Sequence, residues 1–415
     1  MFDLQKLKKD FENCPCGREH TLAIDDIVIG SGTVHKVGEI LKRNGFKKNL
    51  LFVADENTLK AADGVLESLK EFNLTMKMYK NLREATMSEV QVIKGLLSDL
   101  DAVISVGTGS LNDICRAAAA DLDKPLCIFG TAASMDGFAS YCAPLTDGNF
   151  KITYPAKSPE VVIADTKILA KAPGELKGAG FGDMIGKYVG LIDWQVSALI
   201  TGEYYCEKVA NLTRTATDKI MALADRIQKD DEESASAVFE ALLLTGIAMS
   251  FVKISRPASG TEHILSHFWE CKKLLQGKIS DFHGKKVGVA TLLIMDIYQK
   301  LYQKEKVTAH KEVIDWQGVY AHYGDLKEEV IKLNTPDTIT DEIDPKDIEK
   351  NWDKIRAIIA SVPTRDEIYA AMKKAGCATT PEEIAVEKSL AEEGVKYHPF
   401  MRRRLSLRRL ANMID

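Results

Sequence analysis

Between Ile27 and Asp165 short apolar runs alternate with helix-patterned stretches, and this alternation is the strongest constraint on what the chain can fold into. The runs are IVIGSG (27–32), LLFVAD (50–55), LTMKMYK (74–80), AVISVG (102–107) and PLCIFG (125–130). They are too short for helices, and most are bounded by Gly, Asn or Asp, so they predict strands. Strands separated by helices need crossover connections, which makes the predicted sheet mainly parallel. FKITYP (150–155) and EVVIAD (160–165), separated by AKSP, predict a β-hairpin. After Asp165 apolar residues recur at spacings of three and four, as in EALLLTGIAMSFVKI. That period predicts helices over 203–229, 232–253, 260–276, 284–304, 324–334, 345–360 and 364–375. Pro173-Gly174 and the KGAG run are expected to form a hinge.

The predicted organisation is therefore an α/β domain with a mainly parallel Rossmann-like sheet over 1–170, of which 1–24 is an N-terminal extension, followed by an all-helical domain over 171–415. The 415 residues are 45% hydrophobic and 28% charged, enough to bury a core without staples. Lys plus Arg number 55 against 60 Asp plus Glu, so the basic face of a general nucleic-acid binder is not expected. No apolar run approaches the roughly 18 residues of a membrane span. The first residues, MFDLQKLKKDFENC, lack the apolar stretch of a signal peptide. The cysteines (Cys14, Cys16, Cys115, Cys127, Cys142, Cys206, Cys271 and Cys377) are sparse and lie mostly in apolar stretches, which fits free thiols in a reducing cytoplasm.

Four motifs can carry chemistry. In SVGTGSLNDICR (105–116) a strand ends at Gly107 and a helix opens near Leu111. The N–H groups of such a turn suit a pyrophosphate, and Gly107 and Gly109 permit close approach; a plain strand-to-helix turn has the same sequence. FGTAASMDGFAS (129–140) places Thr131, Ser134 and Ser140 around Asp136, again after a strand, as in a cofactor crevice or in an ordinary capped turn. Asp55, closing the second strand, is either an acceptor for an adenine ribose or an N-cap. In SRPASGTEHILSHFWE (255–270) His263 and His267 share a helix face, His283 follows in DFHGKK, and Asp183 lies upstream in GAGFGDMIGKY. Imidazoles and a carboxylate are ligands for zinc, iron or nickel, though a lone His is usually structural. The glycines around Asp183 read as close helix packing and a turn. Cys14, Cys16 and His20 in CPCGREH are three soft donors with no fourth nearby, so they read as structural, and the MRRRLSLRRL stretch (401–410) reads as a solvated or groove-docked helix.

Taken in order, GTGSLND, TAASMD, GFGD, SRPASGTEH and FHGKKV resemble the iron-containing alcohol dehydrogenase and dehydroquinate synthase-like superfamily, and within it the sn-glycerol-1-phosphate dehydrogenases. The resemblance spans about residues 25 to 400 and implies a dehydroquinate synthase-like architecture. It implies a cytoplasmic oxidoreductase of phospholipid biosynthesis that reduces dihydroxyacetone phosphate to sn-glycerol 1-phosphate, reversibly. NAD(H) is implied over NADP(H), with one divalent metal (Ni, Zn or Fe) and a homo-oligomer, a homodimer being favoured. The implied metal ligands are Asp183, His263 and His283. Asp136, Asp183 and His267 are implied to contact substrate, with Asp183 and His267 catalytic. The implied cofactor contacts are Asp55, Gly109, Ser110, Leu111, Asn112, Asp113, Thr131, Ala132, Ala133, Ser134 and Ser140. Glu262 and Asp281 are near enough in sequence to orient the ligating imidazoles, and Arg256, Lys187 and Lys285 are candidates for the substrate phosphate. A glycerol or other polyol dehydrogenase of the same superfamily is the alternative activity; a carbocycle synthase and a non-catalytic nucleotide-binding protein are further ones.

Overall fold

A computed structural model describes residues 2–415. Six strands, β1 (Asp26–Gly30), β2 (Asn49–Asp55), β3 (Asn73–Tyr79), β4 (Ala102–Gly107), β5 (Leu126–Gly130) and β8 (Val161–Asp165), form one parallel sheet in the order β1-β8-β5-β4-β2-β3. The central strands β4, β5 and β8 are buried along their whole length, which is why they read as unbroken apolar runs. Because all six run the same way, Asp55, Gly107 and Gly130 finish on the same edge, and β2, β4 and β5 are neighbours. Three of the four motif-bearing segments thus follow three adjacent strands.

The predicted hairpin is re-paired. FKITYP becomes β7 (Phe150–Pro155), antiparallel to β6 (Cys142–Asp147), while β8 enters the main sheet between β1 and β5. The reason is patterning: β8 is apolar on both faces and needs two-sided cover, whereas β7 alternates and suits a two-stranded ribbon. Gly148 and Asn149 close that ribbon with φ of 53° and 63°, the positive pair that a tight two-residue hairpin turn demands.

Helices α1 (Leu4–Phe11), α2 (Val37–Arg43), α3 (Glu56–Ala61), α4 (Val65–Ser68), α5 (Met87–Leu97), α6 (Gly109–Asp121) and α7 (Thr166–Ala170) flank the sheet or its connections. From Gly174 onward the structure is helical: α8 (Gly174–Thr201), α9 (Glu207–Met221), α10 (Glu232–Val252), α11 (Thr261–Leu275), α12 (His283–Tyr302) and six further helices up to Leu410. The expected hinge at Pro173-Gly174 and KGAG (177–180) is instead the start of α8, with Pro173 at its N-cap. Glycine disfavours a helix by about 1 kcal/mol relative to Ala, but here packing overrides propensity. A Cβ on Gly182 would stand 2.6 Å from the Gly284 carbonyl oxygen, and one on Gly180 would stand 1.9 Å from the Ala133 carbonyl oxygen. The glycines let α12 and the loop after β5 close directly onto α8. The predicted stretch 203–229 forms a helix only to Met221 and then breaks into turns.

One described helix, α10, is long and apolar enough to cross a bilayer (mean hydropathy 1.8) despite the expectation that no such run exists, but 83% of that window is buried inside the fold. It packs on α7, α8, α9 and the turn at Gly137–Ala139, as a core helix does.

Candidate functional site

The carboxyl edge of the sheet and the faces of α8, α11 and α12 enclose a cleft of about 300 Å³. On the sheet side, β4 runs into α6 through Thr108, whose side chain makes no cap bond, and Gly109. Gly109 has a positive φ of 25°, and a Cβ there would meet nothing within 4 Å. The turn therefore presents bare backbone to the cleft beside Ser110, Leu111 and Asp113. Asp113 pairs with Arg116 (2.6 Å), which also donates to the Ser140 carbonyl (2.7 Å), so one buried guanidinium ties the two strand-end loops together. Thr131, Ser134, Asp136 and Ser140 reach the cleft from the loop after β5.

Three of the implied cofactor contacts stand apart. Asn112 is buried and accepts a hydrogen bond from Ser105 (2.7 Å), and neither it nor Ala132 nor Ala133 is among the residues that line the cleft. Asp55 lines the cleft and is also an N-cap: it accepts from the Thr58 amide (2.8 Å) in a capping box that opens α3. The N-cap reading of that residue holds, and its position also leaves it at the cleft.

Asp183 lies on buried α8, His263 and His267 on α11, and His283 at the first position of α12. Ligand atoms of Asp183, His263 and His283 lie within 4.8 Å of one another. The His267 ring is 6.4 Å from His263 and 5.7 Å from His283, beside this cluster. Lys187, one turn beyond Asp183, donates to Asp183 (2.8 Å) and pairs with Asp136 (2.6 Å), while the Asp136 amide donates to the other Asp183 oxygen (2.9 Å). Burial would raise the Asp183 pKa, but Lys187 and the two imidazoles hold it far below the usual carboxylate range. Burial and the Asp183 charge push Asp136 upward, against the pull of Lys187.

His263 Nδ1 faces Glu262 Oε1 at 2.5 Å. A carboxylate only accepts, so Nδ1 carries the proton and the Nε2 lone pair faces Asp183 Oδ1, 3.4 Å away. Two acceptors turned toward each other in a buried site call for a cation between them, and the donor set of one carboxylate and two imidazoles suits zinc, nickel or iron. A proton can also serve. Burial opposes protonation of His263, as does Lys187, but hydrogen bonds to Asp183 and Glu262 outweigh both and lift its pKa to about 9. Burial lowers His283 to about 3, and burial with the nearby Arg402 lowers His267 well below the usual range, so both are neutral bases.

Of the two expected orienting acceptors, Glu262 fits and Asp281 does not: its carboxylate bonds the Phe282 amide and Lys285. The expected phosphate donors are committed elsewhere. Arg256 pairs with Glu203 away from the cleft, Lys187 holds the two aspartates, and Lys285 pairs with Asp281. The lysines that do line the cleft are Lys151 on β7 and Lys286 on α12, bridged by Glu270 at 2.8 and 2.9 Å. In sequence Glu270 could be found as the residue one turn beyond His267 on the same helix face; Lys151 had no signal beyond the alternation of β7.

Residues 28–173 match the iron-containing alcohol dehydrogenase family. The fold is similar over nearly the whole chain to an archaeal halo-thermophilic alcohol dehydrogenase from a Red Sea brine pool (TM-score 0.64, 14% identity, covering 95% of this chain and 97% of that one). The chain is 30% identical over 413 residues to a protein of Halalkalibacterium halodurans named glycerol-1-phosphate dehydrogenase (NAD(P)+), covering 97% of this chain and 96% of that relative. It is 34% identical over 314 residues to a protein of Bacillus licheniformis with the same name, covering 74% and 78% of the two. The chain belongs to the glycerol-1-phosphate dehydrogenase family.

Proposed function

We propose that this chain catalyses the reversible NAD(P)H-linked reduction of dihydroxyacetone phosphate to sn-glycerol 1-phosphate, using one divalent metal. The observation that carries the reading is the convergence of Asp183, His263 and His283 within 4.8 Å: the two imidazoles line the cleft that the Gly109 turn also lines, and Asp183 is buried behind them. Those three residues hold the metal. Gly109 to Asp113, Thr131 to Ser134, Ser140 and Asp55 form the cofactor side, where Asn112, Ala132 and Ala133 act by shaping the loops rather than by reaching the cleft with side chains. When bound, the divalent ion supplies Lewis-acid polarisation of the substrate carbonyl and the nicotinamide supplies hydride.

The chain's own groups do the rest. Lys187 pairs with both Asp136 and Asp183, favours the carboxylate form of each, and fixes their spacing. Asp136 accepts from a substrate hydroxyl, and neutral His267 holds a hydrogen bond to a substrate oxygen. Glu262 fixes the His263 tautomer. Lys151 and Lys286 receive the phosphate; they carry two positive charges against the one of Glu270. That surplus favours a phosphorylated triose over free glycerol. The N-terminal α/β part and the helical part act as two domains meeting near residue 170, and the enzyme works as a homodimer in the cytoplasm, where its eight free cysteines stay reduced.

The test is NADH oxidation by metal-stripped protein reloaded separately with nickel, zinc or iron. Dihydroxyacetone phosphate and dihydroxyacetone are compared at equal concentration, and product chirality is assigned. Turnover confined to the phosphorylated substrate, giving the sn-1 product, is expected. Equal turnover of both substrates would replace this reading with the polyol dehydrogenase one.

A further inference from the structure

The three soft donors of CPCGREH do have a fourth partner, and it comes from 190 residues away. Cys206, at the N-cap of α9, points its sulfur at the N-terminal segment. Cys14 Sγ lies 3.6 Å from Cys206 Sγ, Cys206 Sγ lies 3.6 Å from His20 Nε2, and Cys16 Sγ lies 3.2 Å from His20 Nε2. All four ligand atoms fall within 4.8 Å of one another. We infer that Cys14, Cys16, His20 and Cys206 form a second metal site, a closed Cys3His zinc centre that fastens the N-terminal segment to the helical half.

Four features support it. A tetrahedral zinc, with bonds of about 2.3 Å to sulfur and about 2.0–2.1 Å to nitrogen, needs edges of about 3.8 Å between sulfurs and about 3.6 Å between sulfur and nitrogen. The spacings at Cys206 are close to those edges, and far longer than the roughly 2.05 Å of a disulfide. Second, the imidazole is already aimed. His20 Nδ1 lies 3.0 Å from the Phe251 carbonyl oxygen, which can only accept, so Nδ1 bears the proton and the Nε2 lone pair faces the three sulfurs. Such an outer hydrogen bond is the usual way a ligating His is oriented. Third, the cluster is closed. Cys14, His20 and Cys206 are buried, and the Tyr204 hydroxyl sits 3.3 Å from Cys16 Sγ with the Arg18 guanidinium over its ring at 3.6 Å. No coordination position is left for substrate, which marks a structural site rather than a catalytic one. Fourth, the local chain is bent for the purpose: Gly17, with φ of 76°, donates to the Cys14 carbonyl and turns the backbone back toward His20.

The anchor matters because of where it holds. Phe11 stacks on Phe251 at 4.5 Å, and Phe251 closes α10, whose Met249 lines the catalytic cleft and whose Ser250 bonds the Ala139 carbonyl. The centre therefore clamps residues 3–24 against the helix that supports the loop after β5.

The test counts metals and reads their ligands. In protein purified without chelator, the His263→Ala variant is expected to retain about one zinc per chain by elemental analysis. The Cys16→Ser/Cys206→Ser double variant is expected to lose that equivalent yet still take up nickel at the Asp183 site. Cobalt-loaded His263→Ala protein is expected to show thiolate-to-cobalt charge-transfer absorption, which an Asp-His-His site cannot give. Should the double variant not fold, zinc release from the folded wild type by a thiol-specific mercurial, read with a colorimetric zinc indicator, measures the same centre. Metal-free His263→Ala protein, absence of the charge-transfer absorption, iron in place of zinc, or a Cys14–Cys206 disulfide in the purified protein would each overturn the assignment.

Discussion

Glu262→Gln tests the electrostatics of the catalytic cluster without emptying it. The glutamine keeps the shape and can still accept from His263 Nδ1 and from the Gly260 amide, the two hydrogen bonds that Glu262 Oε1 makes at 2.5 and 2.9 Å. What it removes is one buried negative charge directly behind the ligating ring. Loss of such an outer carboxylate weakens metal binding about 10–100-fold, which is about 1.4–2.7 kcal/mol. The proton adds a second, opposing effect. With its pKa lifted to about 9, His263 must shed a proton to bind metal at neutral pH, so apparent affinity should rise about tenfold per pH unit from 6.5 toward 8.5. In the variant Glu262 no longer supports the imidazolium, and the rise should flatten at lower pH. The two curves should therefore diverge on the alkaline side and converge on the acid side. Competition against a calibrated chelator across that range gives both, with elemental analysis fixing the stoichiometry and thermal melts confirming the fold. Parallel curves of equal height would refute the tautomer argument, and with it the role given to Glu262. The same proton has a stability consequence in metal-stripped protein. Because the folded pKa is raised above the ordinary 6.5, its contribution is complete below about pH 6.5 and lost as pH rises through about 9.

Asp55→Ala should cost about 0.5–2 kcal/mol as a lost N-cap and also raise KM for NADH more than for NADPH; an unchanged cofactor preference would leave Asp55 a cap alone. Lys286→Met should raise KM for dihydroxyacetone phosphate while leaving weak turnover of dihydroxyacetone unchanged, and equal losses on both would remove Lys286 from the phosphate site. Gly180→Ala gains about 1 kcal/mol of helix propensity, but its new methyl would stand 1.9 Å from a backbone oxygen of the cofactor loop. Overpacking of that kind costs about 1–3 kcal/mol, so a lower melting temperature and weaker cofactor binding are expected, and a stabilised variant would show that the loop and α8 are not in close contact.

The strand-end motifs were legible because a buried strand followed by Gly or small polar residues has few structural uses, and three such runs preceded three adjacent loops. Helix α8 was legible only in part: the glycines around Asp183 read as close packing, which Gly180, Gly182 and Gly186 make against the loop after β5 and α12, but Pro173-Gly174 and KGAG mimic a flexible linker where the helix in fact begins. Pairing was the second blind spot: local sequence joined 150–155 to 160–165, whereas two-sided burial sent them to different sheets. The candidate phosphate donors share one feature. A lysine or arginine near a motif is as available to a neighbouring carboxylate as to a ligand, and Lys187, Arg256 and Lys285 all found one. Cys206 was invisible as a partner for CPCGREH because only the tertiary fold brings residues 16 and 206 together.

The lysine that joins Asp136 to Asp183 also sets what valence the pocket accepts. With His263 neutral, as ligation requires, and Asp136, Asp183 and Glu262 as carboxylates, the groups around the ligands count three anions and one ammonium, an imbalance of two that low-dielectric surroundings penalise. A dication at the three proposed ligands brings that interior to neutrality. On the same count a monovalent ion would leave it anionic, and an iron oxidised to the ferric state would leave it cationic.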